Sequence, residues 1–538
     1  MSTFLSSIFR KKTFDGDSLL QTNLKRCLNV FDVTALAIGQ MIGAGIYVLA
    51  GSVIHNIAGP SVMISFLLAG FAALLSAFSY AEFGARFPRA GSAYTYAYVS
   101  VGELWGFIIG WNVILEYLIG NAAIARAWSA YLDNLLGNWI ENTIISSIGH
   151  LSKEKGGFFS TYPDVVAFLT ICLASAIVAT GSKSSSNINK FFVVLNLSVI
   201  AFVVVVGFTQ ADFGLWFGSN DKGVSRFIPF GLSGTLSGAG AVFFSFIGFE
   251  ALATAGEEAK NPRRTIPIAT FLSLGLVTTV YILMAAALTV MLPYDQIDPN
   301  ASFAAAFQAK GLTYAMYIVS AGALLAIMNN QMTGAFALPR AVYAMADDGL
   351  LFSFLAKINN VTKIPLNSII LSTLINAVIA LVFDLNALVD FLSLGTLMAY
   401  SFVSASVLLL RYQPESIKDG TESQLRVNVP YRSQLVSMLK QRTVAIAIIV
   451  FILGVVILAL KVKLVPLVPY IPLLSLAINT CMMIYLNYLT WIRLIIWVAI
   501  GVLIYMTYGY RNSKEGKKDR VVPAKCPAVI SVVEKTKL

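Results

Sequence analysis

Gln40-Met41-Ile42-Gly43-Ala44-Gly45-Ile46 and Phe244-Ser245-Phe246-Ile247-Gly248-Phe249-Glu250 are the two stretches on which the reading of this chain turns. Each is a glycine-interrupted piece of an apolar run, and the two stand at corresponding places in the halves of a sequence built almost wholly of such runs. Inside a bilayer an interrupted helix exposes N–H and C=O groups that only protein or a wet cavity satisfies. Paired interruptions of this kind point to the solute site of a transporter.

The 538 residues are 57% hydrophobic and 12% charged, with a mean hydropathy of +0.76, the balance of a polytopic helical membrane protein rather than a globular enzyme. The formal net charge of +11 sits on Lys and Arg in loops and tails between apolar runs, where it sets topology and gives no nucleic-acid surface. Cys27, Cys172, Cys481 and Cys526 show no CxxC spacing, and His55 and His150 are far apart, so neither a disulfide framework nor a metal site is expected. No GxxxxGK[ST] loop occurs, which argues against ATP-driven pumping, and no cofactor is expected. No short apolar run with a small-residue cleavage site precedes Phe31, so the first span is expected to direct insertion itself.

Windows of about one crossing length fall at 32–54, 61–81, 95–132, 164–181, 190–208, 234–255, 266–290, 313–338, 367–383, 388–410, 443–460, 467–488 and 491–509. The third is too long for one upright helix at about 1.5 Å per residue and reads as a single span that is strongly tilted or starts in the interface. With the N-terminus cytoplasmic, Lys and Arg (Arg340 among them) crowd the inner segments and thin to Lys153, Lys155, Lys222, Arg226 and Lys310 outside, as the positive-inside rule requires. The expected fold is all-α and polytopic: a cytoplasmic segment 1–31, a five-helix repeat 32–208, a second inverted five-helix repeat 234–410 with helices 1 and 6 discontinuous, a cytoplasmic loop 411–442, three to four more spans in 443–510, and a charged tail 511–538. Thirteen crossings would leave the basic tail outside; either one late segment is not a full crossing, or the tail violates the charge rule.

Gly43-Ala44-Gly45 has two readings. It is a close-packing surface of small residues, or it is an unwound step whose N–H groups, aided by the dipole of the outer half-helix, bind a carboxylate. In the second reading carbonyls freed at Ile247 and Gly248 receive the solute's ammonium. Glu116 lies within Trp111-Asn112-Val113-Ile114-Leu115-Glu116-Tyr117-Leu118, deep in an apolar span, where an ionisable group costs roughly 2.5–3.5 kcal/mol on insertion scales. Arg126 is nearly three helical turns away, too far for a permanent ion pair, so Glu116 reads as a pocket carboxylate. Glu250 is a solute contact, a counter-charge, or a helix-end residue facing cytoplasmic water. In Gly256-Glu257-Glu258-Ala259-Lys260-Asn261-Pro262-Arg263-Arg264 the arginines read as topology signals, and Glu257 and Glu258 as members of an inner gate. Asn329, Asn330 and Gln331 read as interhelical hydrogen bonders, with Gly334 and Ala335 leaving space for a long side chain. Asn300-Ala301-Ser302 fits the glycan acceptor pattern in a loop placed outside, and Asn360-Val361-Thr362 fits it in a loop placed inside.

At Glu82-Phe83-Gly84-Ala85-Arg86-Phe87-Pro88-Arg89-Ala90-Gly91-Ser92-Ala93-Tyr94 the chain resembles the cationic amino acid transporter family, a branch of the amino acid, polyamine and organocation superfamily. The resemblance continues through Val101-Gly102-Glu103-Leu104-Trp105, Ala125-Arg126-Ala127-Trp128-Ser129-Ala130, Pro339-Arg340-Ala341-Val342-Tyr343 and Arg411-Tyr412-Gln413-Pro414-Glu415. It implies two inverted five-helix repeats, cationic amino acids such as arginine, lysine and ornithine as partners, and a plasma-membrane location. By the same resemblance Met41, Ala44 and Gly45 hold the substrate backbone with Phe244, Ser245 and Ile247, and Glu116 matches the acidic residue of the third span. Asn196 stands where similar bacterial proton-coupled relatives carry a lysine, which favours uniport or exchange driven by the membrane potential. Two departures stand out: fourteen spans are usual where thirteen are counted, and Glu250 replaces the usual aspartate. The alternatives are a carrier of neutral amino acids or polyamines, or a transport-silent sensor or scaffold on an internal membrane; oligomeric state is not legible.

Overall fold

A computed structural model describes residues 9–12, 24, 26–43, 45–88, 91–152, 159–218, 225–298, 302–360, 362–412, 470–484 and 488–521. Helix α1 (Val30–Met41) opens on a capping box, in which Asn29 Oδ1 accepts from the Asp32 N–H and the Asp32 carboxylate accepts from the Asn29 N–H, each at 2.9 Å. It stops at Ile42, whose ψ of 101° is extended, without a proline to force the break. The chain resumes as a π-turn (Gly45–Leu49), a short α-turn (Ala50–Val53) and a second π-turn (Ile54–Ala58), irregularity of the kind found at functional sites.

Next come α2 (Val62–Arg86), the short α3 (Ala93–Ser100) and α4 (Glu103–Leu135). The third apolar run is therefore divided at Gly102, φ 145°, into a short helix and one full-length span. A tilted single rod is ruled out. After α5 (Trp139–Ile148), α6 (Val165–Ala179) and α7 (Ser182–Thr209), α8 (Gly231–Val242) breaks in its turn. It tightens into a 3-10 turn (Phe243–Phe246), becomes extended at Ile247, passes Gly248 at φ 123°, and ends in the short turns Ala251–Thr254 and Ala255–Glu258.

The remaining helices are α9 (Pro262–Met291), α10 (Ser302–Ala309), α11 (Thr313–Asp347), α12 (Leu366–Val382), α13 (Leu385–Tyr412), α14 (Tyr470–Ile484), α15 (Tyr488–Ile504) and α16 (Lys514–Val521). Among the described residues seven helical stretches are long and apolar enough to cross a membrane, and four shorter apolar helices accompany them. Large apolar side chains such as Leu67, Leu169, Phe191 and Leu272 point outward, as lipid solvation allows. The protein is an all-α multi-pass membrane protein.

Just beyond α15, Ser513 and Lys514 share partners with the N-terminal Arg10 and Lys12. Both tails therefore start on one face, and the crossings between them are even in number. An odd count of thirteen does not fit that arrangement. The run 443–460 and most of the loop 411–442 lie outside the described residues.

Candidate functional site

The interruptions in α1 and α8 lie against each other, and glycine is what permits the approach. A Cβ on Gly45 would sit 2.7 Å from Ser245 Cα, one on Gly43 would collide with the Asn330 side chain, and one on Gly248 with Gln40. Close packing and unwinding, two separate readings of the sequence, are here one feature. Tyr281 of α9 joins the breaks: its hydroxyl donates toward the carbonyl of Met41 at 2.6 Å and that of Ser245 at 2.9 Å. It thus serves one carbonyl from each interruption, the orphans that a broken helix leaves. Nothing in the sequence singled out this tyrosine, because it lies in an apolar span and its two partners become neighbours only in the fold.

A cavity of about 40 Å³ opens at this junction, room for about three waters. Gln40, Met41 and Gly45 line it from the first break; Phe244, Ser245, Ile247 and Glu250 from the second; Glu116, Tyr117 and Asn121 from α4; and Asn330 from α11. Among the described residues two carboxyl groups face this space, and no Lys or Arg lines it. Glu116 Oε1 accepts from Thr396 Oγ1 of α13. Glu250 Oε2 accepts from the Tyr400 hydroxyl at 2.7 Å and from the Gly248 N–H at 2.9 Å, while its Oε1 has no partner among the described residues. Among the described residues Gln40 Oε1 and Asn330 Oδ1 are likewise buried acceptors without partners, and beside them the Ser245 and Tyr117 hydroxyls and Asn121 Nδ2 are groups without partners that can donate. Buried polar groups of this sort require an occupant, water or solute.

Met41, Gly45, Glu116, Phe244, Ser245, Ile247 and Glu250 thus line one cavity. Ile42 and Gly43 are buried without lining the cavity. The carbonyl of Gly248 accepts from the Ala251 N–H at 3.0 Å, which leaves it one further lone pair. Glu250, at 6% exposure, does not face cytoplasmic water. Asn330 lines the cavity, and the buried side chains of Asn329 and Gln331 have no hydrogen-bond partner among the described residues, so these two do not make the interhelical bonds expected of them there. Gly334 leaves no free space, because Asn121 fills it. Asn196 Oδ1 accepts from the Tyr47 hydroxyl at 2.8 Å, outside the cavity wall. Arg126 pairs with Asp164 at 3.3 Å and donates to Ser160 at 2.8 Å, leaving Glu116 alone as its spacing required. Ala44 and Asn300 lie outside the described residues.

A second charged cluster ties the start of α1 and the turn after α8 to α7 and α11. The N–H groups of Cys27 and Leu28 donate to the Glu258 carbonyl at 2.9 and 3.0 Å, and the Lys260 N–H donates to the Leu28 carbonyl at 2.9 Å. Asp32 pairs with Lys183 at 2.9 Å and Lys190 at 2.7 Å, both on α7. Glu258 pairs with Arg340 Nε at 2.6 Å, and Arg340 also donates to Ser182 Oγ at 3.0 Å and to the Phe336 carbonyl at 2.7 Å. Arg340 is wholly buried; its reading as a topology signal is corrected, since it answers a buried acid instead. Glu257 is buried beside this cluster in sequence.

Backbone interruption facing backbone interruption across a polar, acid-lined space is the means by which membrane carriers hold a solute, and fold and site together define a transporter. The chain belongs to the amino acid permease family, whose model matches residues 28–500, so its work is transport and not catalysis. It is 39% identical to cationic amino acid transporter 4 of Mus musculus over 96% of this chain and 92% of that protein. It is also 39% identical to cationic amino acid transporter 4 of Homo sapiens, over 94% and 90%, and 33% identical to the methylthioribose transporter of Bacillus subtilis strain 168, over 95% and 99%.

Proposed function

We propose that the protein carries cationic L-amino acids such as arginine, lysine and ornithine across the plasma membrane, by alternating access of two inverted five-helix repeats, 32–208 and 234–410. One observation carries this reading: two buried carboxyls, Glu116 and Glu250, face a cavity that no Lys or Arg of the described residues lines, with the acceptors Gln40 Oε1, Glu250 Oε1 and Asn330 Oδ1 unpartnered around it. A donor-rich cation completes such a set, since a guanidinium brings five N–H donors and an ammonium three. A neutral solute leaves the acids uncompensated. The substrate's carboxylate faces the N–H groups at the Gly43 to Gly45 step, its ammonium faces the second break, and its distal charge faces Glu116. Glu257 and Glu258 belong to the inner gate, and Asn300 is the glycan acceptor. The relative named for methylthioribose supports a second reading, a neutral solute, which competition decides.

The test is radiolabelled arginine flux in proteoliposomes. One positive charge crossing about 60 mV, inside negative, gains roughly 1.4 kcal/mol, near tenfold accumulation. Uptake is expected to follow the imposed potential, to be indifferent to a proton gradient because Asn196 is not titratable, and to be competed by lysine but not by methylthioribose. Flux that ignores potential, or that methylthioribose suppresses, would defeat the assignment.

A methyl on Gly334 would meet the Asn121 amide oxygen and push it into the cavity. Gly334→Ala is expected to raise the arginine KM about tenfold, the order of a small overpacking penalty, and adding Asn121→Ala is expected to reverse it. An unchanged KM would take Asn121 out of the cavity wall.

A further inference from the structure

We infer that a basic, aromatic rim on the face where both termini lie binds anionic phospholipid, with Phe352 and Phe354 seated among the acyl chains and Lys357, Arg511 and Lys517 on the headgroup phosphates. Two stretches far apart in sequence build it. The chain after α11 runs beside the end of α15, where a π-turn (Tyr505–Gly509) leads through Tyr510–Asn512 into α16. Lys514 pairs with Asp347 at 2.8 Å, the Lys514 N–H donates to the Asp348 carbonyl at 3.0 Å, and a Cβ on Gly349 would collide with the Asn512 carbonyl. Tyr508 completes the seam. Its ring centre lies 5.0 Å from that of Phe352, and its hydroxyl accepts from the Ser353 N–H at 3.2 Å. Ser513, which donates to the buried Glu103 at 2.6 Å, fixes the start of α16, so the rim is formed before any lipid arrives.

The rim stands at the foot of two helices that face lipid. From it α12 departs with Ile370 and Leu374 outward, and α15 arrives with Leu503 and Met506 outward. Arg511, exposed, follows Leu503 by about two helical turns, so a lipid-facing row ends on a guanidinium. Phe352 and Phe354 are 50% and 47% exposed, with stacked rings 6.2 Å apart. In the 3-10 turn Ser353–Ala356 residues three apart share a side, which sets the exposed Lys357 beside Phe354. The acids Asp347 and Asp348 are answered by Lys514 and Lys12, and Glu515 is half-buried. Lys357, Arg511 and Lys517 are exposed and take part in no ion pair among the described residues. Water would leave two neighbouring phenyl rings unsolvated, whereas the edge of a bilayer gives the rings hydrocarbon and the cations phosphate. Embedding in a bilayer is all that this requires, so the test stands whatever solute is carried.

Purified full-length protein in a neutral detergent is titrated with fluorophore-tagged short-chain phosphatidylserine, and separately with phosphatidylcholine carrying the same tag and chains. Anisotropy, with protein-free micelles subtracted, gives each Kd. The parent is expected to hold phosphatidylserine at least about tenfold tighter than phosphatidylcholine, since each Lys or Arg at an anionic surface contributes about fivefold. Lys357→Gln with Arg511→Gln and Lys517→Gln is expected to bring the two lipids within about twofold of each other. Phe354→Ser, which leaves the contact of Phe352 with Tyr508 in place, is expected to weaken both lipids alike by about fivefold, the worth of a partly buried phenyl ring. All of these side chains are exposed, and a melting temperature equal to that of the parent verifies the fold of each variant. Equal affinity of the parent for the two lipids overturns the rim, as does a preference that survives loss of the three charges. Undiminished binding by Phe354→Ser, with inorganic phosphate displacing the lipid, would describe a site for free phosphate and overturns it too.

Discussion

Glu116→Gln is expected to lower arginine uptake by at least about thirtyfold while leaving the amount of protein at the surface unchanged. The substitution is nearly isosteric, and the amide oxygen of glutamine still accepts the bond from Thr396, so packing in α4 is preserved. What is lost is the negative charge that a cationic solute meets in a buried space, and removing one partner of a buried charge pair costs 2 kcal/mol or more, about thirtyfold. Glu116→Asp keeps the charge and retracts it by one methylene, so it is expected to retain part of the uptake. The check is initial-rate uptake normalised to surface-labelled protein. Normal uptake by Glu116→Gln would show that the solute's charge is met elsewhere, with Glu250 the remaining acid of the cavity.

The second large effect concerns stability rather than solute. Arg340→Met is expected to destabilise the protein by about 3–5 kcal/mol, because it strands the fully buried Glu258 carboxylate in a low-dielectric site. It also removes the donor to Ser182 Oγ and the guanidinium that lies 3.3 Å from the centre of the Phe336 ring. Arg340→Met with Glu258→Met removes both charges together, and much of the loss is expected to return. Thermal unfolding of detergent-solubilised protein checks both variants. If Arg340→Met alone melts with the parent, the pair does not latch the turn after α8 to α11; if the double variant melts no higher than the single one, the loss comes from packing and not from the unpaired acid.

The membrane class and both interruptions were readable because bilayer physics leaves few solutions. A run of about twenty apolar residues must be a helix, and glycine within such a run at two matched places marks where that helix stops. Glu116 was readable for a related reason, since a lone acid deep in hydrocarbon is too costly to keep without a use. The assignments that failed all depended on which helix lies next to which. Asn121 and Gly334 come from different helices, and only their contact shows that the space beside Gly334 is taken. Arg340 looked like a loop charge because the acid that answers it lies 82 residues earlier in the chain. The parity of the crossings, likewise, came from Ser513 and Arg10 meeting on Glu103 and not from counting apolar windows.

By itself, then, the sequence determined the solvent this protein lives in, the helical class, and the identity of the acid and glycines that mark its centre, since these are set by local hydropathy and backbone freedom. Tertiary structure alone decided the pairing: Tyr281 spanning the two broken helices, Asn330 joining the cavity, Arg340 answering Glu258, and both tails converging on Glu103 and Asp348. Those contacts arise from side chains far apart along the chain, and no local periodicity records which buried donor will meet which buried acceptor.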